Sequence, residues 1–461
     1  MNPDTLVPAL ALMAVATREL LWLAAGGILL SNLDELGMDW LWLGLVALRP
    51  APPLPPRPAT AAPLAILVPA WDESAVIAAM LGRFLRTQQH DRYRLFVGLY
   101  PNDPATAAAI ASVSDPRVVP VMVSRPGPTT KADCLNHLWQ AVLACEAESG
   151  QHYAAIILHD SEDVVHPREL DLFDRWLPKL AMVQVPVLPF IDRDSRWISG
   201  HYLDEFAQNH IRDMMVRTRL GLPVPSAGVG TAIRRDAMAV LAEGGAMPFD
   251  ASSLTEDYEI GHKLHAAGLR GAMVRCRLDG AMVAVQEYFP ATLENAVRQK
   301  SRWLTGIALN GWDRLGWTGP PASRWMLLRD RKGLFTAALA VLAYALLALI
   351  LVQLLARALL SHSAGVALPP LVLNQGDPLL MGVLTLNALL LWWRLCWRAA
   401  FTSAAHGWRE GLRSLPRSIT TNMVNALAAL RAVERYRQSL ASAIITWDKT
   451  EHRFPGTEAK G

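Results

Sequence analysis

Leu158-His159-Asp160-Ser161-Glu162-Asp163-Val164-Val165-His166-Pro167 closes a short apolar run that begins at Ala154. The run predicts a buried strand that ends on a burst of carboxylates. In a parallel sheet, such a strand delivers its acids to the carboxyl edge, where open α/β folds bind ligands. Asp160, Glu162 and Asp163 offer hard oxygen ligands within one turn, a set suited to Mg²⁺ or Mn²⁺ carrying a diphosphate. The plainer alternative is an acidic helix cap, with Ser161 or Asp163 starting a helix that contains Pro167. His159 and His166 read as structural rather than as metal ligands, because imidazole matches Mg²⁺ poorly.

Around this segment the pattern alternates between strand and helix from Leu64 onward, which predicts a doubly wound α/β domain. Leu64 to Val68 is a first strand, running into Pro69-Ala70-Trp71-Asp72-Glu73. Leu95 to Tyr100 is a second, followed by Pro101-Asn102-Asp103-Pro104. Val118 to Val123 is a third, followed by Gly127 and then Lys131-Ala132-Asp133-Cys134-Leu135-Asn136. The Asp160 strand is the fourth, and Met182 to Val187 a fifth. Successive strands end on acids or a lysine, all at one edge if the sheet is parallel, and solubility does not demand that repetition.

Of the 461 residues, 52% are hydrophobic and 18% charged, and mean hydropathy is positive. That composition fits a soluble domain of about 250 residues plus membrane helices. A net charge of +3 is too small to argue for nucleic acid. Cys134, Cys145, Cys276 and Cys396 lack metal spacing and read as reduced structural thiols. Val7 to Leu30 is long enough to cross a bilayer, with Arg18 and Glu19 as a polar pair facing other helices. A signal peptide is not expected, since a basic n-region is missing. Asp39 to Leu48, with Trp40 and Trp42, predicts an interfacial helix, and Pro50 to Pro63 a stiff linker. Leu334 to Leu355 and Pro378 to Trp393 predict two further spans. Arg324, Arg329, Arg331 and Lys332 precede them, and Arg394, Arg398, Arg409, Arg413 and Arg417 follow, whereas Ser361 to Asp377 has no basic residue. The positive-inside rule therefore expects the α/β domain in the cytoplasm. Ile419 to Tyr436 is amphipathic and is expected on the inner membrane surface. The expected divisions are 1–49, 50–63, 64–320, 321–402 and 403–461.

Two downstream motifs complete the set. Leu254-Thr255-Glu256-Asp257-Tyr258 opens a helical stretch through His265, and Gln299-Lys300-Ser301-Arg302-Trp303 sits in an amphipathic helix shortly before the membrane. In this order the motifs resemble processive family 2 glycosyltransferases, the class that includes cellulose, chitin and hyaluronan synthases. The resemblance spans residues 60 to 310 and departs from the D-x-D pattern in carrying Glu162. The resemblance implies a GT-A, Rossmann-like cytoplasmic domain with N- and C-terminal transmembrane and interfacial helices. More narrowly, the Asp160 segment, the tail Ile445 to Pro455 with Lys449 and His452, and the N-terminal span resemble the bacteriophage adsorption protein B group. Those are inner-membrane exopolysaccharide glycosyltransferases, whose longer members continue into a cyclic-di-GMP-binding domain.

The resemblance implies a UDP-sugar donor, a polysaccharide acceptor, a Mg²⁺ or Mn²⁺ cofactor, a bacterial inner-membrane location and an outer-membrane export partner. Pro69, Ala70, Asp72, Glu73, Asn102, Asp103, Lys131, Asp133, Asn136, Asp160 and Arg302 would bind the nucleotide-sugar, with Lys131 and Arg302 on phosphate oxygens. Asp160 with Glu162 or Asp163 would hold the metal. Asp257 would be the general base, beside Glu256 and Thr255. Gln299, Trp303, Gly228 and Gly230 would meet the acceptor, Trp303 by stacking and the glycines by close backbone approach. Two other readings stay open at this level: a polyprenyl-phosphate acceptor, and a non-catalytic envelope scaffold or nucleotide sensor.

Overall fold

The computed structural model describes residues 3–243, 247–360, 377–441 and 452–456. Strands β1 (Leu64–Val68), β2 (Tyr93–Leu99), β3 (Val118–Met122) and β4 (Ala155–Leu158) run parallel. Each lies within two residues of its expected bounds. All of β1 and β4 is buried, and these strands read as unbroken apolar runs because both faces of the sheet are covered. The two-residue strand β5 (Val164–Val165) follows the Asp160 turn and pairs with Val285–Gln286. Strands β6 (Met182–Gln184), β7 (Thr231–Arg234) and β8 (Gly271–Met273) complete a seven-stranded sheet of order β3-β2-β1-β4-β7-β6-β8.

The sheet is mixed, because β7 runs antiparallel to both β4 and β6. Residues 231–234 carry too short a pattern to announce a strand, and the two flanking strands impose one. The fifth expected strand ends at Gln184, and Val187 makes only an isolated bridge to Val285. The four cysteines are free.

The helix Pro3–Trp42 continues through a wide turn, Leu43–Ala47. The expected separate interfacial helix at Asp39 to Leu48 is thus corrected to the end of one long helix. No proline interrupts residues 31–47, and Asp34, Glu35 and Asp39 find basic partners in Arg212, Arg329 and Lys332. Residues 50–63 have no regular structure, as expected of a linker. Pro8–Ala47, Gly333–Leu359 and Pro378–His406 are long and apolar enough to cross a membrane. Polar contacts tie them together: Arg18 to Asp377 at 3.1 Å, Asn32 to Asn387 at 3.1 Å and Gln353 to Thr17 at 2.8 Å. Residues 361–376 of the expected external loop, and 445–451 of the tail, lie outside the described residues. The amphipathic helix Trp408–Ala441 packs back on the helix Gly200–Gln208, where the buried Arg417 and Asp204 pair at 2.5 Å.

Candidate active site

The turn after β4 is held by His159, whose ring is fully buried. Its Nδ1 lies 2.7 Å from Asp163 Oδ2 and its Nε2 2.9 Å from Glu169 Oε1. Burial works against the charged ring, but the two carboxylates outweigh it and push the His159 pKa up to about 10. Asp163 Oδ2 also accepts the Asp160 backbone N–H at 3.0 Å. Asp163 Oδ2 is therefore held in the clamp, and Asp163 is not among the residues that line the cleft. Asp160 and Glu162 face the cleft instead. The acids do not cap a helix: the next helix starts at Glu169, and its cap residue, Arg168, makes no side-chain capping bond.

The cleft gathers Pro69, Glu73, Lys131, Asp160, Glu162, Thr255, Glu256, Asp257, Gln299, Arg302 and Trp303. These residues come from five stretches of the chain, and most of the sequence-predicted site is among them. Lys131 opens the helix Lys131–Ser149, which Thr130 caps, and its Nζ sits 2.5 Å from Asp160 Oδ1. Desolvation pulls the Lys131 pKa down, but Asp160, Glu256 and Asp257 overcome it, so the ammonium stays charged. Thr255 stands at the cap position of the helix Glu256–Ala266 without capping it. It packs instead against Gly306, where an added Cβ would lie 2.5 Å from its hydroxyl.

Asp257 Oδ1 accepts the Tyr258 N–H at 2.7 Å. Its other oxygen faces Gly228, which has φ +80°, and a Cβ there would fall 2.4 Å from it. Burial raises the Asp257 pKa, while Lys131 and Arg302 oppose that rise. Glu256 is pushed up to about 7 by burial and by the Asp257 charge. Asp257, Thr255, Trp303, Phe206 and Ala227 also line a second cavity, which reaches Asn209, Tyr258 and Asp330. Asp330 lies on the helix Pro321–Arg331, directly before the membrane helix Gly333–Leu360. One carboxylate thus stands at the junction of an ionic cleft and a path toward the membrane segments.

Other expected site residues do structural work. Asp103 caps the helix Pro104–Ala111 through Thr106 and accepts the Asp72 N–H at 2.6 Å, so it shapes the Asp72 turn. Asn102 exchanges two hydrogen bonds with Gly127. Asp72 is exposed at φ 54°, and Ala70 is buried in the core. Asp133 pairs with Arg125, and Asn136 bonds the Phe249 backbone, both away from the cleft. A Cβ on Gly230 would strike the Val285 and Val185 side chains, so close packing requires a glycine here. Sequence reasoning missed Glu287, a half-buried acid in the cleft whose pKa desolvation and its acidic neighbours raise. No local pattern marks it.

A divalent cation fits the donors that face the cleft. Glu162 is 4% exposed, and its Oε2 makes no hydrogen bond among the described residues but lies 3.3 Å from His452 Nδ1. A buried carboxylate of this kind needs positive charge close by.

Residues 61–306 match the family model for glycosyltransferase-like family 2. The chain belongs to that family. It is a glycosyltransferase. It is 39% identical over 413 residues to bacteriophage adsorption protein B of Escherichia coli strain K12, covering 85% of this chain and 55% of that protein. The match to bacteriophage N4 adsorption protein B of Escherichia coli O157:H7 has the same extent. The chain spans about half the length of these curated relatives. Among solved structures, the mannosyltransferase PcManGT from Pyrobaculum calidifontis, in complex with GDP-Man and Mn²⁺, aligns with a TM-score of 0.53. That alignment covers 92% of this chain and 99% of the other at 15% identity, a likeness of fold. The family 2 match ends at Gln299–Trp303 and its helix, so the membrane helices beyond residue 306 lie outside it.

Proposed function

We propose that this glycosyltransferase moves a hexose or N-acetylhexosamine from a UDP-sugar to a growing exopolysaccharide, with inversion, at the cytoplasmic face of a bacterial inner membrane. The observation that carries the reading is Asp257 at the junction of the ionic cleft and the cavity that reaches Asp330. The donor takes the ionic side, its diphosphate near Lys131 and Arg302. The acceptor takes the other, with its terminal sugar against Trp303 and its hydroxyl toward Asp257. Asp257 accepts the hydroxyl proton as the oxygen attacks the anomeric carbon, and a single displacement with one base inverts that centre. Glu162 and Asp160 would hold a Mg²⁺ or Mn²⁺ ion, which when bound neutralises charge on the leaving diphosphate. Lys131 already stands on Asp160, so cation and ammonium would share the carboxylate's field. The relatives' name refers to phage adsorption, which fits a product handed to an outer-membrane partner.

The test is UDP release by the full chain in detergent across a panel of UDP-sugars, with Mn²⁺ or Mg²⁺. Turnover with one sugar is expected, and Asp257→Asn should lower it by about 10²- to 10⁴-fold while UDP binding holds. Unchanged turnover in Asp257→Asn would remove that residue from the base role.

A further inference from the structure

The second cavity, which shares Asp257 with the ionic cleft, has a volume of about 320 Å³. Three carboxylates line it, Asp257, Glu205 and Asp330, and no lysine or arginine does among the described residues. Lys300 and Arg217 pair with Glu205 and Asp330 from outside the lining. A phosphate would meet carboxylates there and no cation, a mismatch that selects against anionic ligands. His210 is 3% exposed and reaches this cavity from a wide turn, Asn209–Asp213, between the helices Gly200–Gln208 and Met214–Leu220. Wide turns of this kind are rare inside helices and recur at functional sites. The Val187 backbone N–H donates to His210 Nδ1 at 3.0 Å, so a neutral ring carries its proton on Nε2. Burial pushes the His210 pKa down to about 4, which keeps the ring neutral at working pH. Its Nε2–H has no partner among the described residues and is the one donor the ring offers the cavity. The ring stands edge-on to Phe206 at 5.2 Å between centroids, and Phe206 stands edge-on to Trp303 at 6.3 Å. A backbone donor and an aromatic neighbour thus fix where the imidazole sits.

We infer that His210 donates its Nε2–H to an uncharged oxygen of the acceptor saccharide, a hydroxyl or an amide carbonyl, and so positions the chain end whose hydroxyl Asp257 deprotonates. This rests on the reading of the cavity as the acceptor's. The acceptor it selects carries no charge at its reacting end, since the cavity offers neutral donors and carboxylates but no cation. His210 does not line the donor cleft, so its loss should act on the acceptor and leave donor affinity alone.

The experiment measures UDP release by the full chain in detergent, pairing each UDP-sugar of the panel with the methyl β-glycoside of the same sugar as acceptor. His210→Asn keeps an oxygen for the Val187 N–H and is too short to place an N–H where Nε2 stands. It should raise the glycoside KM about tenfold, with the UDP-sugar KM and the unfolding temperature held. His210→Gln reaches as far as Nε2 with an amide N–H and should recover part of that affinity. Farnesyl phosphate, a short polyprenyl phosphate, should not stimulate UDP release. A parent-like glycoside KM in His210→Asn, where Trp303→Ala raises it, would overturn the role of His210 and leave the cavity as the acceptor site. Stimulation by farnesyl phosphate and not by the glycosides would overturn the uncharged acceptor. Release that neither probe stimulates would overturn the acceptor reading of the cavity itself.

Discussion

Replacing Gly228 by alanine tests the assignment of Asp257 without touching its chemistry. Gly228 has φ +80°, and an added Cβ would lie 2.4 Å from Asp257 Oδ2, 3.3 Å from its Cγ and 3.4 Å from Lys131 Nζ. An ordinary contact needs about 3.5 Å, so the carboxylate must retreat by roughly 1 Å. It has little freedom to do so, because Oδ1 is tied to the Tyr258 N–H at 2.7 Å. A base misplaced by about 1 Å costs about 10²-fold in rate, which corresponds to about 2.7 kcal/mol of barrier. The left-handed backbone adds about 1–2 kcal/mol of instability. The assay is UDP release at saturating donor, with UDP affinity and thermal unfolding measured on the same preparation. kcat should fall about 100-fold, with UDP affinity held within about twofold. Gly230→Ala is the control: its Cβ would meet Val285 and Val185 rather than Asp257, so it should lower stability and spare kcat in the folded fraction. A Gly228→Ala enzyme with parent-like kcat would refute the placement of the base.

Two further outcomes concern the supports of the site. His159→Ala leaves Asp163 and Glu169 buried without their shared cation, and should cost about 3–5 kcal/mol of stability by chemical unfolding. A loss below about 1 kcal/mol, the scale of an exposed pair, would mean that the clamp is not what holds the turn. Glu256 has a folded pKa near 7, above its ordinary value of 4.5, so the folded state binds the extra proton and loses stability as pH rises between those values. Glu256→Gln should therefore unfold at a higher temperature than the parent at pH 8 and match it near pH 5. An equal difference at both pH values would exclude Glu256 titration as the cause.

Strands β1 to β4 were legible because each is a largely apolar run bounded by turn residues; β1 and β4 are covered on both faces, so there burial and periodicity carry the same information, whereas β3 is the partly exposed edge strand. The membrane helices were legible from length and composition alone, and the ordered acids, Thr255–Asp257 and Gln299–Trp303 identified the chemistry. The direction of each strand-end acid was not legible. Asp160 and Glu162 enter the cleft, while Asp163 turns to His159 because Glu169, ten residues from that histidine, completes the clamp. Asn136 was lost to Phe249, 113 residues away. Strand β7 was invisible because its four residues become a strand only between β4 and β6. His452 meets Glu73 across 379 residues, and no local pattern encodes such a contact. Residue type and spacing thus determined which elements form and what chemistry their ends can offer. Only the packing of distant segments decided which carboxylates remain open to a ligand, because a buried charge goes to whichever partner the fold brings within hydrogen-bond reach.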